Sequence, residues 1–199
     1  MGSFKDQLMQ GRNLFAAAAI FALGASAHAT AAETFKVDAV HSSVVYSVKH
    51  MNVSMSFGRF NKIDGSFSLD PADPAKGRLE FTVPTDSIDT GNTARDGHLK
   101  GPDFFNAKQF PTITFKSKSV ASAGPSTFDV KGDLTLHGVT KEVAVKVELT
   151  GTAPGMRGGK IAGILSEFTI KRSDFGMKNP VGPIGDDVRI IVSIEGAHP

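Results

Sequence analysis

The 199-residue chain contains no cysteine and no tryptophan, and its only tyrosine is Tyr46. The absence of cysteine excludes disulfides, thiol nucleophiles and thiolate metal sites, so the fold has to be held by packing alone. Lys and Arg number 22 against 20 Asp and Glu, for a formal charge of +2. No charge excess exists to attract nucleic acid or an anionic partner over long range, and the basic residues are scattered along the chain. Catalytic signatures are missing too. There is no Gly-x-Ser-x-Gly elbow and no His-Glu-x-x-His or His-x-His pair. No glycine-rich phosphate loop runs from a strand into a helix; Gly155, Gly158 and Gly159 fall in a hairpin-like connection. His41 and His50 stand an odd number of positions apart and would point to opposite faces of one regular strand. No metal site is expected from this set, nor a resident cofactor. Asp70, Asp73, Asp186 and Asp187 read as solvated turn residues.

What is present begins with a leader-like segment. Lys5 and Arg12 precede an apolar run from Leu14 to Ala27, followed by small residues at Ala27, Ala29 and Ala31. That order is the order of a secretory signal peptide, cleaved after Ala29 or else after Ala31. The apolar run is about fourteen residues, short of the roughly twenty that span a bilayer, so no stable membrane insertion is expected. Residues 1–29 are assigned to the leader and 30–199 to one mature domain with a periplasmic address. Loss of Lys5, Asp6 and Arg12 brings the formal charge to +1.

From Glu33 onward short alternating segments recur between turn residues, as in an all-β barrel or sandwich. Phe35 and Val37 form one segment, and Val44, Tyr46 and Val48 a second. The run from Ser56 to Leu69 keeps Ile63, Gly65, Phe67 and Leu69 on one face while Phe60 breaks the parity, with Gly58 and Gly65 placed to bend it. Leu79, Phe81 and Val83 follow the turn at residues 71–77. Ile113 and Phe115 open the next strand. Phe128 to Leu136 and Val143 to Leu149 form a hairpin about His137-Gly138. A glycine-rich turn from Gly151, a strand from Ile161 to Ile170, a loop from Lys171 to Gly185 and a last strand through Val188, Ile190, Val192 and Ile194 complete the chain. Eight or nine strands and one short helix are expected, arranged as an eight-stranded antiparallel β-barrel, lipocalin-like, with a short helical insertion. An immunoglobulin-like sandwich is less favoured, because the strands are long and its Cys and Trp landmarks are missing.

The alternation stops between Ile88 and Gly101. Thr90 or Asn92 can cap a short helix there, with Arg95, His98 and Leu99 on one face. Pro102, the paired rings Phe104 and Phe105, and a new strand opened by Phe110-Pro111 follow. Such a segment predicts a lid over one end of the barrel.

Six motifs stand in this order: Asp38-Ala-Val-His41-Ser42; Val48-Lys49-His50-Met51; Arg95-Asp96-Gly97-His98-Leu99 with Asp103-Phe104-Phe105; Phe110-Pro111-x-Ile113-x-Phe115; Gly132-x-Leu134-Thr135-x-His137-Gly138-Val139-Thr140; and Arg172-x-Asp174-Phe175-Gly176. Together they resemble the YceI family of polyisoprenoid-binding, or YceI-like lipid-binding, domains over Glu33 to Gly196. The resemblance implies a lipocalin-like barrel with a small helical insertion. It also implies non-covalent binding of a long amphiphile, such as a polyisoprenoid, an isoprenoid quinone or a fatty-acid-like lipid, in the lumen of a secreted bacterial protein; with the catalytic motifs missing, no enzyme is expected.

Fifteen phenylalanines can supply the walls of such a lumen or simply fill the core. Phe67, Phe81, Phe104, Phe105, Phe115 and Phe128 are expected to line it, with Arg95, Asp96 and His98 at its mouth. For Arg95 with Asp96, and for Arg172 with Asp174, an ion pair fixing the local backbone is the competing reading. The competing functions are a filled structural barrel, or a secreted hydrolase or isomerase acting on a lipid-like substrate through His41, His98 or His137. Homodimerisation through an exposed strand face is compatible with a barrel of this kind.

Overall fold

The computed structural model describes residues 33–156, 158–179 and 183–199. The expected leader, 1–29, lies outside the described residues, all of which fall within the compact unit Ala31–Pro199.

Alternation makes the strands, and their inward residues make the core. The strands are β1 (Phe35–His50), β2 (Ser54–Phe60), β3 (Asp64–Ser68), β4 (Arg78–Pro84), β5 (Ile88–Asp89), β6 (Thr112–Ser122), β7 (Thr127–Leu136), β8 (Val139–Pro154), β9 (Lys160–Lys171) and β10 (Ile184–His198). Among the described residues one α-helix, α1 (Thr93–Leu99), interrupts them. Neighbours pair antiparallel in the order β10-β9-β8-β7-β6-β4-β3-β1, and β1 pairs back onto β10 from Lys36↔Ala197 to His50↔Ile184. Eight strands therefore close into a ring, as the alternation pattern predicts. Strands β2 and β5 are appended where the ring flares: β1 pairs with β3 at Phe35 and Lys36 but with β2 from Val44 to His50.

The run Ser56 to Leu69, expected as one curved strand, is two: β2 ends at Phe60, the Asn61 amide donates to the Ser87 carbonyl instead of continuing along β1, and β3 starts at Asp64 and meets β1 only at Phe35 and Lys36. In β3, Gly65 stands at φ 140, where an added Cβ would come 2.1 Å from the Glu80 carbonyl oxygen. Gly58 does something else. It leaves room for the ring of Tyr46 directly across the ladder, where a Cβ would fall 2.3 Å from the Tyr46 hydroxyl oxygen.

Two further expectations are corrected. The segments at Phe35 and at Val44 belong to a single strand, β1, which bulges between Asp38 and Ser43. The bulge is pinned by the Val40 amide donating to the Asp38 carboxylate, by Ser42 Oγ donating to the Asp38 carbonyl at 2.6 Å, and by the Glu195 amide donating to Ser42 Oγ. Those side-chain bonds satisfy backbone groups that the ladder leaves unpaired, which alternation alone cannot reveal. The turn expected from Gly151 starts later: β8 shifts register between Leu149 and Gly151 and stays paired with β9 to Pro154. The hairpin at His137-Gly138 is as read, with both residues at positive φ (53 and 74), the geometry of a two-residue turn matched to strand twist.

The core divides by height. At one end Phe35, Phe67, Phe128, Val130, Ala162 and Ile194 are packed solid, with Phe35 and Phe67 stacked at 5.4 Å. A smaller cluster, Leu134, Leu136, Ile170, Phe175 and Met177, sits near the other end. The interior is hollow in addition to these clusters. No helix among the described residues is long and apolar enough to cross a membrane.

Candidate functional site

The segment from Thr90 to Phe110 is organised by Thr90. Asn92 Oδ1 accepts the Arg95 amide and caps α1, as the sequence suggests. Arg95 donates from Nε to Thr90 Oγ1 and from Nη2 to the Thr90 carbonyl, both at 2.8 Å. Asp96 Oδ1 accepts from the Thr90 amide and hydroxyl at 2.9 and 2.6 Å. Arg95 and Asp96 thus fix the helix through a shared threonine rather than by pairing with each other. After α1 the chain coils back on itself, the amides of Phe105 and Asn106 donating to the Leu99 and Gly101 carbonyls. That coil directs both rings inward. Phe104 lies edge-on to His98 at 5.0 Å, and Phe105 edge-on to Phe60 at 5.7 Å.

Beneath this insertion lies a cavity of about 720 Å³. Val44, Ile63, Leu79, Val147 and Ile164 form its inner end; Phe81, Phe115, Phe168, Ile190 and Val192 line its walls; Leu99, Phe104 and Phe105 cover it. The lining residues that are also solvent-exposed mark its mouth: His50, Ser54, Met55, Phe57, Arg95, His98 and Pro183.

Of the expected lumen residues, Phe81, Phe104, Phe105 and Phe115 line the cavity, whereas Phe67 and Phe128, each 1% exposed, are packed in the solid end of the core. Arg95 and His98 reach the mouth; Asp96 is turned onto Thr90. The sequence reading missed Tyr46, Phe57, Phe60 and Phe168. Phe60 had a signal in its broken parity. Tyr46 had one as well, being the single polar aromatic on the inward face of β1.

Tyr46 matters because its surroundings are apolar. Burial pushes its hydroxyl up to about 12, with Arg95 opposing and Asp96 adding to the shift. Its ring leans on Phe60 at 6.0 Å. No described side chain or backbone group accepts its proton, so within the lumen its O–H is a donor available to a guest.

Arg172, also at the lumen wall, is 4% exposed and already engaged. It donates to the carbonyls of Gly185, Met177, Asn179 and Ile184 at 2.8–3.0 Å. Desolvation lowers its pKa, with the Asp186 carboxylate opposing. Asp174, its expected companion, pairs instead with Lys141. Arg172 is therefore the clamp of the loop that leads into β10.

The three histidines of the alternative reading are apart. His98 lies at the mouth, 3.3 Å from the Asp103 carboxylate. His137 is in the β7–β8 turn, its Nδ1 3.2 Å from the Phe175 carbonyl oxygen and its ring against Phe110. His41 sits on the β1 bulge with Nδ1 2.9 Å from Asp38 and 3.7 Å from Glu195. Asp38, His41 and Glu195 bring their donor atoms within 4.8 Å of one another, a grouping that could take a divalent cation and that regular strand geometry does not predict. They do not line the cavity.

Residues 35–196 match the model of the YceI-like domain. The chain belongs to the YceI family. A UPF0312 protein of Pseudomonas aeruginosa is 39% identical over 190 residues, covering 94% of this chain and 98% of the relative. Protein YceI of Escherichia coli is 39% identical over 175 residues, covering 87% and 91%. Among solved structures, Burkholderia cenocepacia BcnA superposes with a TM-score of 0.72 at 30% identity, over 80% of this chain and 98% of that one. A polyisoprenoid binding domain from Saccharophagus degradans, implicated in plant cell wall breakdown, superposes at 0.65 over 84% and 99%; at 17% identity that likeness is one of fold. The YceI assignment and the closed barrel agree with the reading of the six motifs.

Proposed function

We propose that this protein binds a long-chain amphiphile non-covalently in the barrel lumen and carries, stores or sequesters it in the periplasm. The supporting observation is a preformed apolar cavity of about 720 Å³ whose wall presents a hydroxyl, that of Tyr46, with no partner among the described residues. A volume in that range suits a small-molecule ligand, and a lumen formed before binding spares the ordering cost that weakens apolar association. The chemistry favours a guest that is mostly hydrocarbon with one hydrogen-bond acceptor near its head. A polyisoprenoid, an isoprenoid quinone and a fatty-acid-like lipid all have that form. The apolar tail would run toward Val147 and Ile164, and its acceptor would meet Tyr46 near Arg95. A polyisoprenoid binding domain shares the fold, which supports the ligand class. The periplasmic address is supported by the segment 1–29, whose basic start, apolar run and Ala27-His28-Ala29 have the order of a cleavable leader.

Native mass spectrometry of the protein purified from the periplasm, followed by organic extraction, tests this reading. One unmodified isoprenoid or acyl species bound per chain is the expected result, on a chain whose mass starts at Thr30 or Ala32. An empty protein that also refuses added quinone and fatty acid would overturn it, and a bound species chemically altered during incubation would favour an enzyme.

A further inference from the structure

The tip of the β1–β2 hairpin exposes apolar side chains next to the cavity mouth. Met51, Val53, Met55 and Phe57 are 57, 86, 47 and 60% exposed, four large apolar residues within seven positions. Scattered apolar residues on a surface need no explanation, but a cluster does. Two of these four, Met55 and Phe57, also line the cavity. The tip is built to stand out. Met51 and Asn52 are held at φ 51 and 56, a conformation unusual for methionine, and the Met51 amide donates to the Pro183 carbonyl at 2.6 Å, just past the His50↔Ile184 end of the β1–β10 ladder. The edge of β2 from Ser54 to Gly58 pairs with β1 on one side only, since β5 reaches just Arg59 and Phe60.

The charge around the tip has one sign to spare. Lys49 precedes it and Lys178 lies in the loop whose Asn179 bonds Asp103 of the insertion; both lysines are exposed, and neither has a carboxylate within 4 Å among the described residues. The carboxylates on this side are taken: Asp103 by His98 and Asn179, Asp186 by Ser173, Asp187 by Lys171.

We propose that the β1–β2 hairpin tip, with its exposed Met51 and Val53 flanked by Lys49 and Lys178, docks the barrel mouth on an anionic phospholipid surface. Apolar side chains enter the headgroup boundary while the lysines meet lipid phosphates. The choice of a bilayer as occupant rests on the lumen-ligand reading: a guest that is mostly hydrocarbon leaves a membrane most readily through a mouth whose rim is already in contact with it. The free β2 edge would suit a second copy through strand pairing, but Val53, the most exposed of the four, and Met51 both lie before β2 begins at Ser54, where strand pairing would leave them uncovered.

Vesicle co-sedimentation tests the proposal with the mature protein, using phosphatidylglycerol–phosphatidylcholine vesicles beside pure phosphatidylcholine. The parent should partition to the mixed vesicles and be released by salt. Met51→Ser with Val53→Asp should weaken that partition roughly tenfold or more, the scale expected when buried apolar side chains are withdrawn. Lys49→Gln should weaken it less and flatten the salt dependence. Neither Met51 nor Val53 lines the cavity, so quinone delivered in detergent should still load into the double variant. A parent that sediments with vesicles yet takes up no detergent-delivered quinone would leave the docking surface standing and defeat the lumen reading. Equal partition of parent and double variant, or no vesicle binding at all, would overturn the docking surface. So would a concentration-dependent dimer that the double variant abolishes without any vesicle binding, since the tip would then belong to a second copy.

Discussion

Tyr46 can be measured in isolation, because the chain has no other tyrosine and no tryptophan. Near-ultraviolet absorbance of tyrosinate during a pH titration therefore reports this one hydroxyl. Burial in the lumen holds its pKa at about 12 against an ordinary value of 10.0. The difference corresponds to roughly 2.7 kcal/mol between protonation states. The sign is fixed by which state keeps the proton. Between about pH 10 and 12 the folded protein retains it and the unfolded chain releases it, so this contribution to stability is whole below pH 10 and is lost as pH rises through 12. Absorbance should stay flat until well past pH 10 while far-ultraviolet dichroism is unchanged. Tyr46→Phe should abolish the absorbance change and make alkaline unfolding shallower than in the parent by up to roughly 2–3 kcal/mol. A bound guest that accepts the hydroxyl proton should delay the titration further. A midpoint near 10 in folded protein would mean that water already solvates the hydroxyl, and the anchoring role given to Tyr46 would fall with it.

Phe67→Ala should cost ~3–5 kcal/mol, because the ring is 1% exposed and stacked on Phe35, and thermal unfolding should drop by roughly 6–20 °C with lumen occupancy retained. Equal losses of stability and of ligand would place Phe67 at the lumen instead. Arg172→Lys should accelerate amide exchange at Met177, Asn179, Ile184 and Gly185, since one ammonium cannot serve the carbonyls held by the guanidinium fork; unchanged exchange would remove Arg172 as the clamp. His41 should titrate above its ordinary value in an NMR titration because of its hydrogen bond to Asp38, aided by the charges of Asp38 and Glu195, and Asp38→Asn should bring it down. Stability from this raised histidine is present below about pH 6.5 and lost as pH rises through its folded value, while that from the lowered Asp38 is lost on acidification.

Much of the barrel is legible in the sequence because inward residues recur every second position. In β7 and β8 the buried Phe128, Val130, Leu134, Val145 and Val147 alternate with Lys131, Lys146 and Glu148, and His137-Gly138 supplies the turn. Alternation gives the face of a residue but not its height along the barrel. Phe67 and Phe81 share the inward parity on neighbouring strands, yet one is packed in the solid end and the other lines the cavity. Height follows from strand stagger, which is a property of the closed ring and not of any one segment. The β1 bulge escaped for a related reason. It exists because Ser42 and Asp38 satisfy backbone groups across to Glu195, 153 positions away. Helix α1 was legible through its Asn92 cap, whereas the use of Thr90 by both Arg95 and Asp96 is a three-dimensional coincidence that spacing does not encode.

The pairing of β1 with β10 sets the order in which the molecule can be made. Of the eight strands of the ring, β1 is synthesised first, and its partner along Lys36 to His50 is made last. Until then the nascent sheet carries two open edges, β1 and β9, which are templates for pairing with other chains. Hairpins such as β7–β8 can form locally, but the seam joins residues about 150 positions apart and has to wait for the whole chain, which makes it the slow, entropically costly step. With no cysteine to trap a half-closed state, a chain cut short before β10 would keep its sheet and lose its barrel.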